Sequence, residues 1–313
     1  MRLEDQGAGA EADCRFGLDW IRIANMEMLS LEAIKEYRAR TFRMTPGLRL
    51  GSLEEAVGFV NACGFTFFWP NAERPLPSLW AAVAGDRPVP DEHDDPAHVT
   101  WDWKDKALGK RLWYYGRVLA QRNAMVSLEM LPYFYALSPN FGDPENDYLE
   151  QYAAGSLTME AKGVYEALLK NGAMDTLALR RAARLSSPES DHRFNRALNQ
   201  LQMEFKVLPV GTAEVGAWRY AFVYELTNRH FPDLVQQAGA ISEPEARQAL
   251  LVRYFQMVGV ARLADITRLF RWRIDETTRA VNKLMEGGKL RGGYAVEGQK
   301  GEWIIDLGFR IED

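Results

Sequence analysis

Two stretches in the second half of the chain resemble each other, and that resemblance restricts the fold more than any other feature. Residues 161–209 begin AKGVYEALLKNGAMDTLALRRAARL, and residues 247–291 begin RQALLVRYFQMVGVARLADITRLF. Each opens on an apolar helical pattern that stops at a glycine, Gly172 or Gly259. The spacing then predicts a short helix (176–185; 263–270), a turn and a longer helix (192–205; 275–286). A Lys–hydrophobic step, Lys206-Val207 or Lys289-Leu290, leads into a strand pair whose returning strands are GAWRYAFVYEL and GEWIIDLGF, with alternating apolar positions. From glycine to strand the two stretches span 35 and 31 residues, and the extra length falls in the loop LSSPESDHR, where insertions are tolerated. Three helices followed by a β-hairpin is the winged-helix pattern, and the hairpin separates it from ordinary helical bundles.

The first half is less regular. LSLEAIKEYRARTF reads as a helix capped by Ser30, and SLEEAVGFVNACG as a second, with Ser52 and Glu55 spaced as a capping box and Gly64 as its stop. Together they suggest a third, degenerate copy of the repeat. GFTFFWPNAE follows, with Phe65, Phe67, Phe68 and Trp69 within five positions. Residues 81–105 read as a Pro- and Asp-rich loop, and residues 105–137 as helix-rich. The expected fold is mainly α with small β-hairpins, an α+β class built from tandem winged helices. Its parts are a lead-in (1–27), an N-terminal helical or degenerate winged-helix domain with an aromatic-rich insertion (28–150) and two winged helices (151–240 and 241–313).

Chemistry is bounded mostly by what the composition lacks. Of 313 residues only two are cysteines, Cys14 and Cys63, and four are histidines, which fits neither a disulfide framework nor a zinc set; no metal and no cofactor are expected. No window holds the ~18 uninterrupted apolar residues of a membrane span, and the N-terminus shows no apolar signal region. The expectation is a cytoplasmic, bacterial-type protein, associated with the nucleoid if it binds DNA. The net charge of −5 argues against a polycation, so any nucleic-acid contact depends on local arrangement.

Basic residues are locally enriched in both repeats. The first carries Arg180, Arg181 and Arg184 on its second helix and Arg193, Asn195, Arg196 and Asn199 at the start of its third. The second carries Arg268, Arg271, Arg273, Arg279 and Lys283. In a helix-turn-helix the start of the third helix enters the major groove, where Arg reads guanine and Asn reads adenine. The alternative is a solvated face with local charge pairing. Trp69 is a base-stacking candidate, since aromatic stacking holds exposed bases.

The order of these parts resembles the winged-helix DNA glycosylases of the AlkZ/YcaQ type, which excise alkylated bases and unhook interstrand crosslinks. The resemblance covers most of residues 29–291. It rests on LSLEAI, on SLEEAVGFVNACGFTFFWPNAERPLPSLW, on RNAMVSLEMLPYF and on VGVARLADITRLF. It implies DNA, duplex or damaged, as the partner. It also implies a Gln-hydrophobic-Asp or Gln-hydrophobic-Gln motif after the second helix that positions the attacking water. Here that motif falls on Thr66-Phe67-Phe68, with Thr66 in the Gln slot, Phe68 in the Asp/Gln slot and Arg122 near the family's histidine slot. Neither Thr66 nor Phe68 replaces a carboxylate or amide. The expectation is therefore a nucleic-acid-binding relative without the standard base-excision chemistry. One alternative is an active glycosylase for alkylated or crosslinked bases with relocated catalytic groups, for which Glu73 and Asn71 are the nearest candidates. Another is a protein-interaction or regulatory module.

Overall fold

The computed structural model describes residues 26–216 and 219–309. The lead-in therefore lies almost wholly outside the described residues. One topology occurs three times along the chain: a helix, a short strand, two helices and a hairpin. In the middle unit α7 (Met159–Asn171) leads into β5 (Met174–Asp175), then α8 (Thr176–Ala182), α9 (Asp191–Met203) and the hairpin β6 (Val207–Ala213) and β7 (Ala221–Leu226). In the last unit the same order is α12 (Glu243–Val258), β8 (Val260–Ala261), α13 (Leu263–Phe270), α14 (Ile274–Glu286), β9 (Leu290–Val296) and β10 (Trp303–Asp306). In both, the returning hairpin strand sits in the middle of the sheet and pairs antiparallel with the short strand. Gly172 and Gly259 end the opening helices with φ of 79° and 73°, a backbone conformation that costs glycine little. The α+β class and the elements of both repeats are as expected; the short strands β5 and β8, only two residues each, were not anticipated.

The first unit departs from the sequence reading. Its opening helix is α2 (Leu53–Cys63), followed by β2 (Phe65–Phe67), α3 (Leu79–Ala84), α4 (Val99–Ala107) and the hairpin β3 (Tyr114–Leu119) and β4 (Arg122–Val126). Its strand order, β2-β4-β3, matches the other two sheets. The expected loop 81–105 thus contains the end of α3 and most of α4. Pro and Asp residues dominate its middle, but Thr100, Trp103, Lys104 and Ala107 are buried at helical spacing. The expected helix-rich stretch holds only the end of α4 and the helix α5 (Leu131–Ala136), with a hairpin between them. Ala120 and Gln121 take φ of 48° and 61° at its tip, the two-residue turn whose twist suits paired strands.

The helix placed first in this unit by sequence, α1 (Leu31–Thr41), packs elsewhere. Ser30 caps it, as expected, accepting from the Ala33 amide. It then lies on the end of α12. The Arg38 guanidinium donates to the Val258 and Val260 carbonyls at 3.0 and 2.8 Å, and Thr41 Oγ1 to the Met257 carbonyl at 2.7 Å. Ahead of it β1 (Glu27–Leu29) adds in parallel to β9. The start of the described chain thus completes the last unit. The Ser52 cap on α2 is also present, but Glu55 reaches the Gly51 amide at 2.6 Å instead of the Ser52 amide, so the capping box is displaced by one residue.

Burial links the units unequally. One hydrophobic core runs from Phe42 and Leu50 through the first unit and into α12, α13 and α14 of the last. The middle unit has its own core around Val164, Leu168, Phe194, Leu201 and Leu226. Short helices connect the units: α5 (Leu131–Ala136) and α6 (Asp147–Ala153) precede the middle unit, and α10 (Thr227–His230) and α11 (Leu234–Gly239) follow it. No helix among the described residues is long and apolar enough to cross a membrane.

Candidate nucleic-acid interface

The aromatic run begins in the short strand of the first unit, β2, and continues past its end. Thr66 and Phe68, in the slots the glycosylase resemblance assigns to catalytic residues, are 0 and 1 % exposed. Phe65, Thr66 and Phe67 face Val126, Met125 and Ala124 across β4. Phe65 meets the edges of Phe134 and Phe270 at 5.3 and 5.8 Å, which joins the first unit to the last. The Thr66 hydroxyl is buried with no hydrogen-bond partner among the described residues. A threonine so enclosed cannot present a water to a substrate.

Phe68, unlike Phe65, Thr66 and Phe67, lines a cavity. This cavity, about 430 Å³, is bounded by Phe68, Trp69, Trp101, Tyr115, Tyr220 and Phe222, with Lys104, Asp105 and Asn123 as its polar groups. Its volume lies within the range of small-ligand sites, and an apolar lining with few polar groups is their usual composition. Two units converge here: the first supplies Phe68, just past the end of β2, with Trp101, Lys104 and Asp105 of α4, and the middle unit's hairpin supplies Tyr220 and Phe222. Trp69, the stacking candidate, is half-buried. It stands edge-on to Phe68 at 4.9 Å and to Trp101 at 5.8 Å. Trp101 is the exposed member, stacked on His98 with ring planes 11° apart.

At the cavity wall the Lys104 ammonium lies 2.7 Å from Asp105 Oδ1 and donates to the Tyr220 hydroxyl at 3.0 Å. Tyr220 in turn donates to Asp105 at 2.9 Å. Lys104 Nζ also lies 4.6, 5.6 and 5.7 Å from the ring centres of Phe222, Tyr220 and Tyr115. Burial lowers the Lys104 pKa, against the opposing pull of Asp105. The Tyr115 and Tyr220 hydroxyls are pushed up, first by burial. Asn123 has its backbone carbonyl bonded to the Phe68 amide at 2.8 Å.

Neither of the nearest alternative catalytic candidates lines this cavity. The Asn71 side chain accepts from the Glu73 and Arg74 amides, both at 3.0 Å, and so closes a turn. Glu73 is exposed, 3.5 Å from Arg74. Arg122, at the histidine slot, is an exposed residue at the tip of the hairpin.

The basic candidates separate into three groups. Arg180 is committed to structure: it donates to the Leu185 and Ser187 carbonyls, pairs with Asp191 and lies over the Phe194 ring at 5.5 Å, so it fastens the turn between α8 and α9. Arg181, Arg184, Arg193, Asn195 and Arg196 are exposed on α8, the turn and the first turns of α9. Arg193 reaches Glu160 at 3.4 Å and Arg196 meets His192 at 3.0 Å. Asn199, further along, is turned inward: it accepts from Arg117 of β3 at 2.6 Å, next to Gln202, which accepts from the Arg117 amide at 3.2 Å. The second half of α9 is therefore docked on the first unit's hairpin, and its beginning is exposed.

In the last unit the cations are paired along their own helices. Arg268 lies 3.3 Å from Asp265, Arg273 and Arg279 lie 3.1 and 3.3 Å from Asp275, and Lys283 lies 3.3 Å from Glu286. Arg271 is exposed at the left-handed C-cap of α13 and reaches Met203 Sδ at 3.8 Å. Among the described residues no group of His, Cys, Asp and Glu has the arrangement of a metal site.

Sequence reasoning missed Lys104, Asp105, Asn123, Tyr220 and Phe222. A signal for two of them was present: Trp101, Lys104 and Asp105 stand at i, i+3 and i+4, one face of a helix, once α4 is read as helical.

Comparison with known proteins gives the family directly. No curated protein matches the chain. Among solved structures, the DNA glycosylase AlkZ of Streptomyces sahachiroi aligns with a TM-score of 0.56 at 12% sequence identity, covering 90% of this chain and 70% of that one. At that identity the likeness is one of fold. A family model described as AlkZ related matches residues 50–271, more than two thirds of the chain, and the protein belongs to the AlkZ-related family.

Proposed function

We propose that this protein is a DNA-binding relative of the DNA glycosylases that lacks their standard base-excision chemistry. The observation that carries the reading is the state of the Thr66–Phe68 slot. It is a buried strand with no group able to accept a proton, and its one cavity-facing residue is a phenylalanine. General acid–base help contributes about 10²–10⁴-fold to such reactions, and neither Thr66 nor Phe68 supplies it. The three units are proposed as winged helices (residues 28–150, 151–240 and 241–313, with strand β1 and helix α1 packed on the last), and duplex or damaged DNA as the partner. The exposed beginning of α9 is the reading edge, with Arg181, Arg184, Arg193, Asn195 and Arg196 meeting phosphates and bases. The aromatic cavity, with Trp69 and Trp101 at its rim, receives an extruded base by stacking.

Fluorescence anisotropy with a labelled duplex tests the reading. Binding should weaken steeply between about 50 and 200 mM salt, as phosphate contacts require. An absence of binding at the lower salt would remove it and leave the protein-interaction reading.

Asp105 favours a second reading. It is the one carboxylate among the residues that line the cavity, and it supports an active glycosylase whose acid or base has moved from β2 to α4. Base release from an N-alkylated duplex that disappears in Asp105→Asn would establish it.

A further inference from the structure

We infer that Lys104 is a nucleophilic amine that captures an aldehyde-bearing ligand in the aromatic cavity as a protonated imine, the ligand being the ring-opened sugar of a DNA site that has lost its base. The inference rests on the DNA-binding reading above and adds an activity to it. Four observations converge. Lys104 is 5 % exposed, so its amine is withdrawn from bulk water, yet it lines a cavity of about 430 Å³. It is the one amine among the residues lining that cavity. A carboxylate oxygen, Asp105 Oδ1, lies 2.7 Å from Nζ, close enough to take the proton that must leave before the nitrogen can attack. Three aromatic rings stand 4.6–5.7 Å from Nζ and favour a cation at that point.

The chemistry balances on these groups. The ammonium passes one proton to Asp105, the nitrogen lone pair adds to the C1′ aldehyde carbon, and a second proton moves from that nitrogen to the new alkoxide to give a neutral carbinolamine. The proton on Asp105 returns to the departing hydroxyl, which leaves as water, and a C=N⁺ bond remains. Charge is conserved, one ammonium becoming one iminium, so the rings that hold the first also hold the second. No oxidant, reductant or metal is required. Desolvation is a recognised way of raising the nucleophilicity of a lysine for imine formation, and burial acts here in that direction. The cavity supplies room for the sugar, and Trp69, Trp101 and Tyr115 supply walls for its neighbours.

The test uses the full chain and a labelled duplex with a single abasic site, generated by removing uracil, in the presence of sodium cyanoborohydride. Reduction converts the imine to a stable amine. The expected result is a covalent protein–DNA adduct whose peptide map places the sugar on Lys104, and loss of that adduct in Lys104→Arg, whose folding is checked by thermal melting. Mapping of the wild-type adduct decides the question by itself should Lys104→Arg not fold. Absence of a wild-type adduct, or an adduct that maps elsewhere or persists in Lys104→Arg, overturns the inference. Wild-type affinity for the same duplex, measured by anisotropy, separates the two failures: binding without an adduct removes only the imine, whereas no binding removes the DNA reading as well.

Discussion

The third helices of the first and middle units, α4 and α9, occupy the same place in the same topology and are put to different uses. On α4 the residues at i, i+3 and i+4, Trp101, Lys104 and Asp105, face an aromatic cavity, and Trp103 and Ala107 are buried. On α9 the first turns are exposed and basic, and only the later residues Asn199 and Gln202 are docked. Position in a fold therefore does not set a helix's role; what covers it does. The first unit is covered by the middle unit's hairpin through Tyr220 and Phe222, whereas His192, Arg193, Asn195 and Arg196 at the start of α9 stay exposed.

The largest effect is expected at the strand beneath the cavity. Phe65→Ala removes a fully buried ring that joins the first unit to the last; chemical denaturation should show a loss of about 3–5 kcal/mol. Thr66→Gln, which restores an amide at the family's slot, buries a polar group in a site with no room or partner and should cost about 1–3 kcal/mol. Thr66→Val removes the unpartnered hydroxyl and should raise stability by about 1 kcal/mol. If Thr66→Gln were neutral, the slot would be open rather than shut.

Two further variants sharpen the other side. Arg193→Ala with Arg196→Ala should weaken duplex binding across sequences and flatten the salt slope by about one unit for each lost phosphate contact. Arg279→Ala, whose charge is already paired with Asp275, should change duplex affinity least and leave the melting temperature where it was. An effect of Arg279→Ala equal to that of the double variant would shift the reading edge from α9 to α14.

The units differ as much in how far sequence revealed them. The middle and last units were legible because apolar periodicity, a terminal glycine and alternating strands all agreed, so α13 was delimited to the residue. The first unit was hidden by two local signals that mislead. The run of Pro and Asp around residues 86–96 looks like one long loop and masks the nine-residue α4. The hairpin β3–β4 turns on Ala120-Gln121 rather than on the usual Asn-Gly, so nothing marks its turn. The destination of α1 was illegible for another reason: its bonds go to the carbonyls of residues 256–258 and 260, a pairing set by the tertiary fold alone. The cavity combined both difficulties. Its Phe68 and Trp69 were singled out, but Lys104 and Asp105 lay in the misread segment, and Tyr220 comes from a different unit.

The aromatic run itself is now better defined. Phe65 and Phe67 are core, Thr66 is sealed between them, and Phe68 is the wall of a cavity. This arrangement is proposed to bind DNA without the excision chemistry of the glycosylases. The most direct test is single-turnover base release from a duplex carrying one N-alkylated purine, run at a protein concentration at which anisotropy shows the duplex to be bound. The account predicts bound DNA and base release no faster than the spontaneous rate. Release above that rate by the wild-type protein would contradict it.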